Sequence, residues 1–210
     1  MMIKYINKNR LIITVLTLTL AMSIISAAAK TAKADIAESV VRLHVIANSN
    51  SEFDQALKLK VRDRVLKEAS EIFESSDTPT LALAKAREQS LRLSFAAEEV
   101  LKENGCNYKV RIETGEYSFP VKSYGEITLP KGRYNALRIV IGEGRGKNWW
   151  CVMFPPLCLV KGTVKISEDS DAYLKSHLTK GEYALIKNNQ APNVEIRFKL
   201  LEILKKLAKN

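Results

Sequence analysis

His44, Ser49 and Asp54 follow one another closely enough to raise a hydrolytic site, with a serine nucleophile, a histidine base and an orienting carboxylate. That chemistry needs the three groups to converge within hydrogen-bond reach, which closeness in sequence does not supply. His44 stands in an alternating stretch, with Leu43 and Val45 on one side and His44 and Ile46 on the other, so a half-buried histidine bonded to backbone is the competing reading. No G-x-S-x-G, H-E-x-x-H or papain-like cysteine signature accompanies it. The chain has two histidines and no C-x-x-C pair, so neither a structural zinc site nor any other metal or cofactor is expected.

Three further groupings invite chemistry. Gly142, Gly144 and Gly146 make a G-x-G-x-G run that leads into Trp149 and Trp150, whereas a phosphate-cradling loop is G-x-G-x-x-G and leads into a helix. The expectation is a flexible connection that places the tryptophans. In a strand Trp149 and Trp150 point to opposite faces, so if one enters the core the other covers another element or anchors a partner. Cys151 and Cys158 enclose six residues; outside the cytoplasm they could be bridged, worth about 2–3 kcal/mol on the loop-entropy model, and the alternative is buried thiols.

The elements that must position these residues are legible. Residues 40–46 are β-branched and read as a strand, and residues 48–51 break it. Ser49 and Glu52 have capping-box spacing, and Phe53, Leu57, Val61 and Val65 recur every four residues as the apolar stripe of a helix ending near Phe73. Asp54, Lys58, Lys60, Arg62, Asp63 and Arg64 then form its charged side, ordinarily a solvated outer face. Thr78 and Pro79 restart a helix that runs to Asn104 and Gly105, with Leu81, Ala84, Leu91, Phe95, Ala97, Val100 and Leu101 as its apolar faces.

From Tyr108 the period changes to two. Short antiparallel strands are expected through residues 108–112, 119–124, 127–129, 134–141 and 149–153, the last stopped by Pro155 and Pro156. The tail reads as a short helix through Leu178, an extended piece over residues 182–186, and a final amphipathic helix from Pro192. The predicted fold is α+β: an antiparallel helical hairpin packed on a mainly antiparallel sheet of four to six strands, with a C-terminal helix. That last helix docks on the domain or lies on a membrane surface.

Composition places the domain. The chain has 210 residues, 46% hydrophobic and 27% charged, as a globular protein has. Its net charge of +10 owes half to five basic side chains in residues 1–34, which carry no acid, and no aromatic recognition box or arginine-rich arm is present, so nucleic acid is not an expected partner. Lys4, Lys8 and Arg10 precede an uncharged run over residues 11–29 and small residues at Ala27, Ala29, Ala32 and Ala34. This is an export signal, cleaved or retained as an anchor, and residues 35–210 form one exported domain.

Two strings, residues 44–66 beginning His-Val-Ile-Ala-Asn-Ser-Asn-Ser, and residues 142–160 with Lys147, Asn148, Trp149, Trp150, Cys151 and Phe154-Pro155-Pro156, resemble the stage II sporulation protein R family of endospore-forming bacteria. The resemblance runs from about Asp35 onward. It implies a protein secreted from the forespore into the space between two membranes, where it activates a membrane-embedded aspartic protease that processes the precursor of sigma-E. The chain would then be a ligand and no enzyme, without a small-molecule substrate. Partner-binding candidates matching the strings are His44, Asn48, Ser49, Asp54, Gln55, Lys58, Arg62, Asp63, Trp149, Trp150, Phe154, Pro155 and Pro156. A cell-wall or peptide hydrolase using His44 with Asp54 or Ser49 is the alternative, and a membrane-surface module acting through the C-terminal helix a third.

Overall fold

The structure, a computed structural model, describes residues 8–74, 76–157 and 167–187. The expected final helix from Pro192 lies outside them, as does Cys158. Helix α1 (Lys8–Glu38) leads into β1 (Val41–Ile46), followed by α2 (Glu52–Glu74), α3 (Pro79–Glu88) and α4 (Ser90–Glu103). Strands β2 (Val110–Phe119), β3 (Lys122–Tyr124), β4 (Ile127–Leu129), β5 (Gly132–Ile141) and β6 (Asn148–Phe154) come next, then α5 (Glu168–His177) and α6 (Lys180–Lys187).

The fold is α+β, and its sheet is mainly antiparallel, in the order β2-β5-β1-β6, with β3 and β4 as a separate pair. The β1–β5 pairing is parallel. Parallel neighbours need a long crossover, and the helices between β1 and the later strands make it on one face. That face is apolar: Leu43 and Val45 of β1 sit beside Leu137 and Ile139 of β5, all fully buried. Leu57, Val61, Val65 and Ala69 of α2 and Leu93, Ala97 and Leu101 of α4 belong to the same core. Ile36 and Val40 join it from the end of α1, whereas Leu11, Leu16, Leu20 and Ile25 of α1 are exposed.

Several expectations are corrected. Helix α2 is capped by Ser51, whose Oγ accepts the Asp54 N–H at 3.1 Å, so the cap lies two residues later than the Ser49–Glu52 spacing implies. Phe53 is consequently 53% exposed and leaves the core stripe. The helix expected from Pro79 to Asn104 is two, broken at Gln89, although the apolar period runs through the break from Ala86 to Leu93 and no breaker residue marks it. Leu91 and Phe95 turn outward, 73% and 66% exposed. Residues 182–186 are helical, not extended. Thr179 and Glu182 form a reciprocal capping box: Glu182 N–H donates to Thr179 Oγ1 at 3.3 Å and Thr179 N–H to Glu182 Oε2 at 2.8 Å.

The glycine run is no flexible tether. Gly146 N–H donates to Ala47 O at 2.9 Å and Arg145 N–H to Asn48 O at 3.0 Å, pinning the β5–β6 loop onto the β1–α2 loop. A Cβ on Gly146 would meet Ser49 O at 2.2 Å and the Ala47 Cβ at 2.7 Å. Gly142, at φ 56°, approaches Asn48 in the same way. Gly146→Ala is therefore expected to destabilise the domain by about 1–3 kcal/mol through overpacking. Gly181→Ala, with open space around the added methyl in α6, should stabilise it by about 1 kcal/mol or less. Urea denaturation of the two variants checks both signs.

Candidate functional site

The predicted residues fall into two clusters on opposite faces of the sheet, plus a strand end. Strand parity separates them: Arg42, His44 and Ile46 share one face with Trp150 and Arg138, while Val45 and Trp149 face the helices.

On the helix side, a polar clamp joins the two loops. Asn48 Nδ2 and Ser49 Oγ donate to Asp54 Oδ2 at 2.9 and 2.6 Å. Asn48 Oδ1 accepts Glu143 N–H at 3.0 Å, and Asn50 Oδ1 accepts Lys147 N–H at 2.8 Å. Gln55 Nε2 donates to Ser49 O at 2.8 Å. Burial alone would raise the Asp54 carboxyl, but hydrogen bonds from Ser49, Asn48, Tyr108 and Ser51 outweigh it and hold the group below its usual range.

The charged side of α2 does not face solvent throughout. Asp54, Lys58 and Arg62, spaced every four residues, are all buried. Lys58 Nζ donates to Gln55 Oε1 at 2.7 Å and Lys147 O at 3.0 Å. The Arg62 guanidinium lies 4.2 Å from the centre of the Trp149 ring and pairs with Asp63 at 2.6 Å. An amphipathic pattern assigns polar residues to water by default, and here the β5–β6 loop covers them instead.

On the other face, His44 stacks on Trp150, with ring centres 3.8 Å apart, and Phe119 meets Trp150 edge-on at 4.8 Å. Asn148 Oδ1 lies 2.8 Å from His44 Nε2. Beneath them Arg42 is fully buried, its guanidinium 4.3 Å from the Phe119 ring centre and 4.8 Å from that of Tyr134, donating to Tyr124 Oη and to Cys151 O. His44 thus bonds Asn148, while Asp54 and Ser49 bond each other across the sheet, so the Ser–His–Asp arrangement is not assembled. Among the described residues no group of three or more His, Cys, Asp or Glu side chains converges as a metal site would.

At the strand end, Phe154 is buried edge-on against Tyr173, Pro155 follows in a cis peptide, and the Pro156 carbonyl accepts the Ser170 hydroxyl at 2.9 Å. Cys151 is disulfide-bonded, Cys106 is a free buried thiol, and Cys158 is outside the described residues. Arg42, Asn50, Tyr108, Tyr124 and Asn148 were not foreseen. The signal for Arg42 was its place in an otherwise apolar strand, on the parity of His44.

These features define a class: an α+β domain with interlocked loops, set behind an N-terminal helix long and apolar enough to cross a membrane. The family model described as stage II sporulation protein R matches residues 37–164. Stage II sporulation protein R of Bacillus subtilis is 33% identical over 180 residues, covering 80% of each chain. The chain belongs to the stage II sporulation protein R family. No solved structure matches it.

Burial pushes the His44 imidazole below its ordinary 6.5, further than the Asn148 hydrogen bond raises it, and Arg138 also lowers it. The unfolded chain therefore binds this proton more readily than the native one. The associated stability is complete above about pH 6.5 and declines as pH falls from there towards the lowered native value. His44→Gln should flatten that part of the profile, leaving only losses in the carboxylate range. Denaturation midpoints between pH 5 and 8 measure the difference.

Proposed function

We propose that the chain is an exported signalling protein of sporulation. It leaves the forespore, enters the space between the two membranes and activates a membrane-embedded aspartic protease, whose action on the precursor of sigma-E follows. The observation that carries this reading is the family match, which begins at residue 37, directly behind the apolar part of α1, and spans both interlocked strings. The leader supports export, and retention of α1 would hold the domain at the membrane surface.

A ligand of this kind acts by binding the active state of its protease more tightly than the inactive one; equal affinity would shift nothing. A rigid domain suits that task, because surface groups fixed in advance lose little freedom on binding. The hydrolase reading lacks support, since it requires His44 to meet Asp54 or Ser49. Co-expression with the candidate protease and its precursor substrate, in a cell that does not sporulate, tests the proposal. Processing should require the full chain and cease when residues 1–29 are removed. Processing indifferent to export overturns it.

A further inference from the structure

Where α1 meets the domain, two acids face each other without a cation. Glu182, at the start of α6, is buried and accepts the Thr179 N–H at 2.8 Å. The half-buried carboxyl of Asp35, in the last turn of α1, is hydrogen-bonded to it. The Thr179 N–H holds the Glu182 carboxyl below its ordinary range against the effect of burial, and the Thr179 hydroxyl and Asp35 add to it, so Glu182 is the ionised member. No lysine or arginine acts on either acid among the described residues, and Lys30 and Lys33 of α1 are exposed. A buried carboxylate that lacks a cation is a cost to the fold.

The domain begins at the same place. Every residue from Arg10 to Ala34 is exposed except half-buried Ala32, whereas Ile36 is 2% exposed and belongs to the core. The Asp35 carbonyl accepts the Ser39 N–H at 3.0 Å and the Ser39 hydroxyl at 2.7 Å, so Asp35 is held from the domain side and needs nothing before it. Ala32 and Ala34 stand third and first ahead of Asp35, the small-residue spacing at which leader peptidases cut. Ala27 and Ala29 have that spacing too, but a cut after Ala29 leaves residues 30–34 attached, which bury almost nothing.

We propose that the Ala34–Asp35 bond is where the leader is removed, and that the ammonium created on Asp35 is the cation Glu182 lacks. Hydrolysis by a leader peptidase breaks the C–N bond. The oxygen of one water joins the Ala34 carbonyl carbon and both its protons go to the Asp35 nitrogen, so the leader departs as a carboxylate and the domain keeps an ammonium. That nitrogen is joined to the Asp35 carboxyl through Cα and Cβ alone, which sets the new charge beside both acids. A cut after Ala29 instead puts the ammonium on Lys30, about 7.5 Å away along the helix axis, and leaves the acids unpaired. The proposal rests on the export reading and on no step of protease activation.

The test expresses the full chain with its leader in a secreting bacterial host and reads the exported protein by intact mass and N-terminal sequencing. Its first residue should be Asp35, and Ala34→Ile should abolish that terminus. An exported chain that begins at Lys30 or keeps α1 overturns the proposal and leaves export standing, whereas a chain held in the cytoplasm removes both. A terminus at Asp35 that survives Ala34→Ile assigns the cut to another protease and also overturns it. Glu182→Gln preserves the cap on Thr179 and removes the charge. It should lower the urea midpoint of the exported protein, but not that of the full chain made by cell-free synthesis in detergent micelles, which keeps its leader. An equal loss in both forms would make Glu182 a helix cap alone and overturn the role of the ammonium.

Discussion

The guanidinium of Arg42 is the interaction on which the architecture turns. It is fully buried and has no carboxylate partner among the described residues, yet it touches four other strands: Phe119 of β2, Tyr124 of β3, Tyr134 of β5 and the Cys151 carbonyl of β6. A charge moved out of water costs several kcal/mol unless it is compensated, and aromatic faces supply that compensation in part. The tyrosines cannot do so by ionising. Burial pushes the Tyr134 hydroxyl up to about 12, and Tyr124 moves the same way, so both stay neutral. The cation is instead held by ring faces and dipoles, which constrain direction more than an ion pair would. Tyr124 is drawn down onto the sheet as a result, and with it the β3–β4 pair that covers this face.

With one face of the sheet organised around a cation, the other must supply the apolar burial that stabilises the domain. Leu43, Val45, Leu137, Ile139 and the stripes of α2 and α4 do so. Helix α2 has a second duty that its apolar stripe does not reveal. Asp54, Lys58 and Arg62 run along the flank next to the stripe and reach the loop ahead of β6, so the helix is buried on its core face and its polar flank at once. That loop must pass close to the helix start, and the glycines allow the approach. The two strings that carry the family likeness are therefore one structural unit, interlocked by Asn48, Asn50, Gly142 and Gly146.

Much of the fold was readable because local signals agreed with the tertiary result. The β1 run, the Thr78–Pro79 helix start, the β5 run and the acidic start of α5 each became the expected element, whereas the strands expected over residues 108–112 and 119–124 are one long strand, β2, followed by the short β3. Missed features share a cause. The parallel β1–β5 pairing is a long-range choice that hairpin reasoning does not generate, and the burial of Lys58 and Arg62 depends on a loop almost ninety residues away along the chain. The capping box at Thr179 and Glu182 is a local signal present in the sequence, and it starts α6 where an extended piece is expected. At the site, parity separated Trp149 from Trp150 correctly, but the aromatic enclosure of Arg42 needs residues from several strands and no short motif encodes it.

These constraints bear on how the domain holds its loops. Its polar residues divide by whether their hydrogen bonds close upon the protein itself. Asn48, Ser49, Asn50 and Asp54 bond chiefly to one another and to the β5–β6 loop, and they fix that loop's position. Lys58 closes the seam next to them through Gln55 Oε1 and the Lys147 carbonyl, while the buried indole N–H of Trp149 has no acceptor among the described residues. The clamp and the seam thus complement each other: the first fixes the glycine loop on the start of α2, and the second continues the attachment along the helix through Lys58 and Arg62.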